Sequence, residues 1–326
     1  MTKYRILIAT HPFGKTGRKP LELLQETGWE LVFNPHGRRL KKGDIPELIE
    51  GVDAIIAGTE PYSEEVLRKS KLKVISRVGI GLDSVPLKAC KEMGISVTYT
   101  PDAPSQGVAE LTVANIINLA RHVIPSDRSV REGAWNRLMG GLINDVTIGI
   151  VGIGRIGKLV TQLLQPFRPN LLACDINPDM AFGEKYGLKW CNKEEIFRAS
   201  DIITLHIPGS KRNHNYLDRQ TIATMKTGAA VINTSRGVVV DERALYDALV
   251  QKHLSGAALD VFVHEPYEGP LRELDNVILT AHIAASANGS RYLMELGAVE
   301  DCIRVLKGEC PKFDALTTEN IEDQEG

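Results

Sequence analysis

A chain of 326 residues is long enough for two domains with separate cores, and its formal charge of −2 gives no basic footprint for nucleic acid or an anionic membrane. No apolar stretch approaches the ~18 residues of a membrane span, and Tyr4–Ala9 is too short for a signal-peptide core. The five cysteines (Cys90, Cys174, Cys191, Cys302, Cys310) are odd in number, widely spaced and without a C-x-x-C, so neither a disulfide framework nor a metal site is expected. A reducing cytoplasm is the default location.

The first hundred residues alternate short apolar runs with helix-like segments. Strands are predicted at Tyr4–Ala9, Glu30–Phe33, Ala54–Ala57, Val74–Arg77 and Ser96–Tyr99. Helices are predicted between them at Lys19–Thr27, Asp44–Gly51, Ser63–Ser70 and Val85–Met93, and such alternation makes a parallel sheet covered on both faces. Gly14-Lys15-Thr16 is no phosphate loop, because Ala9 stands where the required glycine would be. A proline-bracketed linker, Pro101–Pro104, leads into a long helix from Gln106 to about His122. A second helix over Ile124–Arg131 and a loop with Trp135 follow.

Thr147–Asp175 is the most informative stretch. A β-branched run, Thr147–Val151, turns through Gly152, Gly154 and Gly157 into an amphipathic helix, and a second apolar run, Leu171–Cys174, ends in Asp175. Gly152 permits the tight turn, Gly154 admits a pyrophosphate close to the backbone, and Gly157 lets the helix lie against the strands. The helix N-terminus offers unpaired N–H groups to the phosphates, and Asp175 accepts from the adenosine ribose. A carboxylate at Asp175 repels a 2′-phosphate, and Ile176-Asn177-Pro178 supplies no Arg to hold one, so the cofactor expected is NAD rather than NADP.

Further strands are predicted at Ile202–Leu205, Ala230–Asn233, Ala257–Asp260 and Val277–Leu279. They precede an amphipathic helix over Asn288–Lys307 and an acidic tail, Glu319–Gly326, that reads as disordered. Ligands of open α/β sheets bind beyond the carboxyl ends of the strands. Arg236, Glu265 and His282 each follow one of these strands. Hydride transfer between NAD and a 2-hydroxy acid needs a group to move the hydroxyl proton, a cation for the carboxylate, and an orienter for the base. His282, Arg236 and Glu265 suit those roles. Singly they read as a packed histidine, a surface ion pair and a solvated turn residue, and only their joint placement at successive strand ends outweighs that. His206 reads as lining the cofactor, and His264 as a bystander beside Glu265.

The chain resembles the D-isomer-specific 2-hydroxyacid dehydrogenase family, nearest to its phosphoglycerate dehydrogenase branch. The resemblance rests on Ser76–Asp83 (SRVGIGLD), Val108–Leu111, the glycine fingerprint, Asn233–Gly237 (NTSRG), Ala258–Phe262 with Glu265-Pro266, and Thr280–His282. It implies two doubly wound parallel-sheet α/β domains. A Rossmann NAD-binding domain, residues 101–286, would be inserted in a flavodoxin-like substrate domain, residues 1–100 and 287–326, with the site in the cleft between them. It also implies that Arg236, Glu265 and His282 are catalytic, and that Arg77, Val78, Gly79 and Ile80 bind substrate together with Arg236. Val108, Arg155, Ile156, His206, Ile207, Pro208, Thr234, Arg236 and His282 would line the cofactor, and Asp260 would hold the nicotinamide carboxamide. The helix from Gln106 and its neighbours, residues 101–145, would form the arm of a homodimer.

Two features depart from that branch. The turn after the third strand reads Gly58-Thr59-Glu60, where an Arg in reach of a substrate phosphate is expected, and no regulatory domain follows the final helix. Glyoxylate and hydroxypyruvate therefore stand beside phosphoglycerate as substrate expectations. The loop His11–Arg18, with Lys15, is a candidate selector. A non-catalytic NAD sensor resembling corepressors of the family is the alternative from another class, and an oxidoreductase for phosphite or formate shares every motif.

Overall fold

The computed structural model describes residues 3–325. It contains two compact units, one formed by residues up to Pro104 together with those from Ala285 onward, the other by Ser105–Ala284.

The first unit has five parallel strands: β1 (Arg5–Ile8), β2 (Glu30–Phe33), β3 (Ala54–Ala57), β4 (Val74–Arg77) and β5 (Ser96–Thr98). Their spatial order, β2-β1-β3-β4-β5, is that of flavodoxin-like sheets, with a switch point between β1 and β3. β3 is buried at every position because helices cover both faces, which is why it reads as a continuous apolar run. Alternate side chains serve opposite cores. Leu7, Ile55 and Ile75 join Ile45, Leu67 and Cys90 on one face, while Ile6, Ile56 and Val74 meet Met294, Ala298 and Cys302 of the helix Asn288–Leu306 on the other.

The second unit has seven parallel strands: β6 (Thr147–Val151), β7 (Asn170–Cys174), β8 (Lys189–Trp190), β9 (Ile202–Leu205), β10 (Ala229–Asn233), β11 (Leu254–Leu259) and β12 (Val277–Leu279). The order β12-β11-β10-β9-β6-β7-β8 is the doubly wound Rossmann arrangement. The chain builds outward from β6 through β7 to β8 and then crosses back to β9, so the switch point lies between β6 and β9. One face is covered by the helices Ser105–Arg121 and Arg155–Leu164, through Ala109, Ile116, Val160 and Leu164 against Ile148 and Ile150. The other packs Ile222, Leu245 and Leu249 against Ile203, Val231 and Leu259.

Two local expectations need correction, and one short strand has no counterpart among them. The segment expected as one helix over Asp44–Gly51 is a 3-10 turn, Lys42–Asp44, followed by the four-residue helix Ile45–Leu48, whose first turn carries a proline. β8, only two residues long, gives no periodicity to detect. The acidic tail is not disordered over Thr318–Glu325, which is helical; the last residue, Gly326, lies outside the described residues. A few contacts anchor it. Ile321 packs on the first unit's core, and the Gln324 amide donates to the carbonyls of Leu82 and Val85 at 2.8 and 3.0 Å. No helix among the described residues is long and apolar enough to cross a membrane, and they contain no cluster of three metal-ligating side chains.

Candidate active site

The residue after β6, Gly152, has φ +92°, and a Cβ there would lie 2.7 Å from the His206 carbonyl oxygen, at the end of β9. The turn therefore needs glycine on both backbone and steric grounds. Gly154 caps the helix Arg155–Leu164 with no side-chain partner, and a Cβ built on it meets no atom within 4 Å. Its bare Cα opens on space, as a backbone approached by a pyrophosphate requires, while Arg155 and Ile156 supply the first-turn N–H groups. Asp175, at the end of β7, accepts from the Ile153 N–H at 2.6 Å and from the Asn177 N–H at 2.8 Å. It thus fixes the glycine turn and keeps lone pairs for ribose hydroxyls. The ring of His206 meets the Thr204 hydroxyl through Nε2 at 3.0 Å, whereas its buried Nδ1 has no partner among the described residues. Open space at Gly154 and an orphaned Nδ1 at the switch point are what a dinucleotide would complete.

Burial pushes the His206 pKa down to about 3. Below the ordinary value of ~6.5 the unfolded chain takes up a proton that the folded chain refuses until about pH 3, so stability falls as the pH drops through that window. Unfolding free energies measured between pH 7 and 4 should fall less steeply for His206→Gln than for the parent, by up to about 1.4 kcal/mol per pH unit. Parallel curves would show that His206 is not the neutral group inferred.

The second cluster occupies the ends of β10, β11 and β12. Arg236 begins the turn after β10, with its carbonyl accepting from the Asn233 side chain at 2.8 Å and its stem against Gly209. Gly237 presses its Cα against the backbone of Phe262, so the Arg236 turn and the turn leading to Glu265 are in direct contact. Thr234, buried beside Arg236, shares a 3.0 Å hydrogen bond with Thr112 of the helix Ser105–Arg121, and the Thr112 hydroxyl donates to the Val108 carbonyl.

His282 Nδ1 lies 3.0 Å from Glu265 Oε2. Its backbone is left-handed, φ +53°, an uncommon state for a non-glycine residue. Asp260 holds it there. The His282 N–H donates to the Asp260 carbonyl at 2.9 Å. The wholly buried Asp260 carboxylate accepts from the Thr280 hydroxyl, the Ile283 N–H and the Ala284 N–H at 2.6 to 2.9 Å. A strained turn persists only where its surroundings over-determine it. Asp260, expected as a cofactor contact, thus also positions the histidine, a role with no local sequence signal.

The remaining expected residues belong to the first unit, at the end of β4. Arg77 is buried, and its guanidinium donates to the Val78 carbonyl. The Val78 N–H donates to the Ala57 carbonyl at 2.8 Å, and the Gly79 N–H to the Thr100 hydroxyl at 2.9 Å. The N–H groups of Ile80 and Gly81 donate to no acceptor among the described residues.

Residues 113–284 match the model of the D-isomer specific 2-hydroxyacid dehydrogenase NAD-binding domain, over half of the chain. The chain belongs to the D-isomer specific 2-hydroxyacid dehydrogenase family. Among 2-hydroxyacid dehydrogenases, a D-3-phosphoglycerate dehydrogenase of Methanocaldococcus jannaschii is 35% identical over 89% of this chain, which spans only 56% of that protein's length. A hydroxypyruvate reductase of Thermotoga maritima is 31% identical over 94% of this chain and 99% of its own. The D-lactate dehydrogenase of Aquifex aeolicus, solved with NAD and lactic acid, superposes with TM-score 0.86 at 26% identity, over 96% of this chain and 99% of its own. The glycine turn, Asp175, His206, Thr234, Arg236, Asp260, Glu265 and His282 all lie within the matched NAD-binding domain, whereas Arg77–Ile80 and Val108 lie outside it.

Proposed function

We propose that this chain is an NAD-dependent D-2-hydroxyacid dehydrogenase of the phosphoglycerate dehydrogenase type, acting on a small 2-hydroxy or 2-oxo acid. The observation that carries the reading is the His282–Glu265 pair at 3.0 Å. With Nδ1 directed at the carboxylate, Nε2 is the ring atom left to exchange a proton with substrate. NAD, when bound, supplies the hydride acceptor or donor. As C2 is oxidised, neutral His282 takes the hydroxyl proton at Nε2, and in reduction the imidazolium returns it to the carbonyl oxygen. Glu265 stabilises the charged ring, and Arg236 binds the carboxylate with a planar fork and polarises the C2 oxygen. Asp175, with no Arg in the residues that follow it, supports NAD over NADP. The turn Gly58-Thr59-Glu60 favours a second reading for the substrate, glyoxylate or hydroxypyruvate in place of the phosphorylated acid.

We infer further that the protein is a cytoplasmic homodimer. Trp135, Met139 and Leu142, exposed at 78%, 89% and 59%, support pairing through the 101–145 region. The five free thiols suit a reducing compartment.

The test is NADH oxidation by purified protein with 3-phosphohydroxypyruvate, hydroxypyruvate, glyoxylate and pyruvate. At least one acid should be turned over, and Arg236→Lys should lower kcat/KM for it by about 100-fold, because a point charge cannot replace the bidentate fork. NADH binding with no acid consumed would favour a sensor instead.

A further inference from the structure

Beyond β4, the pair Ile80-Gly81 is held from both sides. On one side the Gly79 N–H donates to the Thr100 hydroxyl at 2.9 Å, and the Thr100 N–H to the Gly79 carbonyl at 3.0 Å. On the other, Gln324 of the helix Thr318–Glu325 binds three backbone groups at once. Its amide nitrogen donates to the Leu82 and Val85 carbonyls at 2.8 and 3.0 Å, and its Oε1 accepts from the Leu87 N–H at 3.2 Å. Ile80 and Gly81 lie between these ties, in neither helix nor strand, with N–H groups that donate to no acceptor among the described residues.

The neighbouring residues leave a gap that Gln324 fills. Pro86 precedes the helix Leu87–Met93 and makes no side-chain cap, so the Leu87 N–H finds its acceptor 237 residues away. A primary amide is suited to the place, because it offers two donors and an acceptor. The helix that carries it is tied down as well. The Asn320 amide donates to the Ala315 carbonyl at 3.1 Å, and the Ala315 N–H donates to the Val97 carbonyl of β5 at 2.8 Å. Ile321 packs on the same core as Leu82 and Val85.

We propose that Gln324 is a positioning residue: by fixing Leu82 and Val85 it holds the Ile80-Gly81 backbone in place for the substrate carboxylate. The proposal rests on the dehydrogenase reading above. Groups that contact a substrate keep their geometry only where a supporting layer locks them, and here that layer comes from the far end of the sequence. Backbone N–H groups bind a carboxylate alike in the ground state and in the transition state. Loosening them therefore weakens substrate binding without slowing the hydride step.

The experiment compares the parent, Gln324→Met and Gln324→Glu in NADH oxidation with a 2-oxo acid that the parent turns over, and in amide hydrogen exchange over residues 79–87. Gln324→Met keeps the length of the side chain and loses all three bonds. It should raise KM for the acid at least about tenfold, leave kcat and NADH affinity within about threefold, and speed exchange at residues 80–85. Gln324→Glu separates positioning from helix capping. Its carboxylate can still accept from the Leu87 N–H but has no proton for the two carbonyls, so KM should rise as far as in Gln324→Met. Were the side chain only a cap for the helix Leu87–Met93, the carboxylate would replace it and KM would not move. That result overturns the proposal. So does a Gln324→Met protein whose KM stays within about twofold of the parent, whether or not exchange is faster. Loss of kcat together with the melting temperature in both variants would make Gln324 a residue of the fold alone, and overturns it too. Turnover of some acid with KM unmoved defeats this inference alone. Turnover of none by the parent defeats the dehydrogenase reading and this inference with it.

Discussion

His282→Ala is expected to lower kcat by about 1,000-fold, the span that a positioned general acid or base commonly supplies. The side chain is 45% exposed, and its one recorded hydrogen bond runs to Glu265, so its removal leaves no cavity and no orphaned core group. The melting temperature should stay within a few degrees, because exposed substitutions typically cost less than about 0.5 kcal/mol. NADH affinity, read by fluorescence titration, should change by less than about threefold, since the phosphate turn and Asp175 are untouched. Glu265→Ala should fall between parent and His282→Ala. The imidazole survives there, but the carboxylate that fixes its orientation and favours its charged form is gone. Full activity in His282→Ala would remove the histidine from the chemistry. Joint loss of activity and NADH binding would instead indicate that Asp260 no longer holds the Thr280–Ala284 turn.

The contrast between Glu265 and Asp260 shows what this sequence discloses and what it withholds. The glycine turn and Asp175 lie within one strand–helix–strand unit, so their spacing alone carries the geometry, and the strand runs that flank them are apolar enough to be read directly. The strand–helix alternation implies parallel sheets covered on both faces, but not their strand orders, which differ between the two units. Arg236, Glu265 and His282 were visible as residues that follow strands. Nothing local told that Asp260 would hold a left-handed His282, because its three side-chain bonds arise only when the ends of β11 and β12 lie side by side. The Thr112–Thr234 bond joins residues 122 apart, and Glu60 turns inward only because β1 stands next to β3. The acidic tail carries a charge pattern that matches a solvated segment, whereas its Ile321 and Gln324 find partners far away in sequence.

Two alanine substitutions in the glycine fingerprint should separate packing from phosphate binding. A Cβ on Gly157 would run into the Gly152 carbonyl, well inside contact distance, and would lie 3.5 Å from the Ile150 side chain. The carbonyl is backbone and cannot swing aside, so the helix Arg155–Leu164 must lift from β6. Overpacking of this kind costs about 1–3 kcal/mol, and the same displacement carries the first-turn N–H groups away from the phosphates. Gly157→Ala should therefore lower the melting temperature by roughly 3–10 °C and weaken NADH binding at least about tenfold. Gly154 differs. Its φ is −79°, which alanine tolerates, and no protein atom lies within 4 Å of the new methyl. Gly154→Ala should leave the melting temperature unchanged to within about 1 °C and still cost about tenfold or more in NADH affinity, because the methyl occupies the approach of the pyrophosphate. Thermal unfolding and NADH titration on the two variants decide the matter. If Gly154→Ala binds NADH as the parent does, the dinucleotide does not approach the chain at this turn. If it loses stability as Gly157→Ala does, the open space beside its Cα is filled by protein.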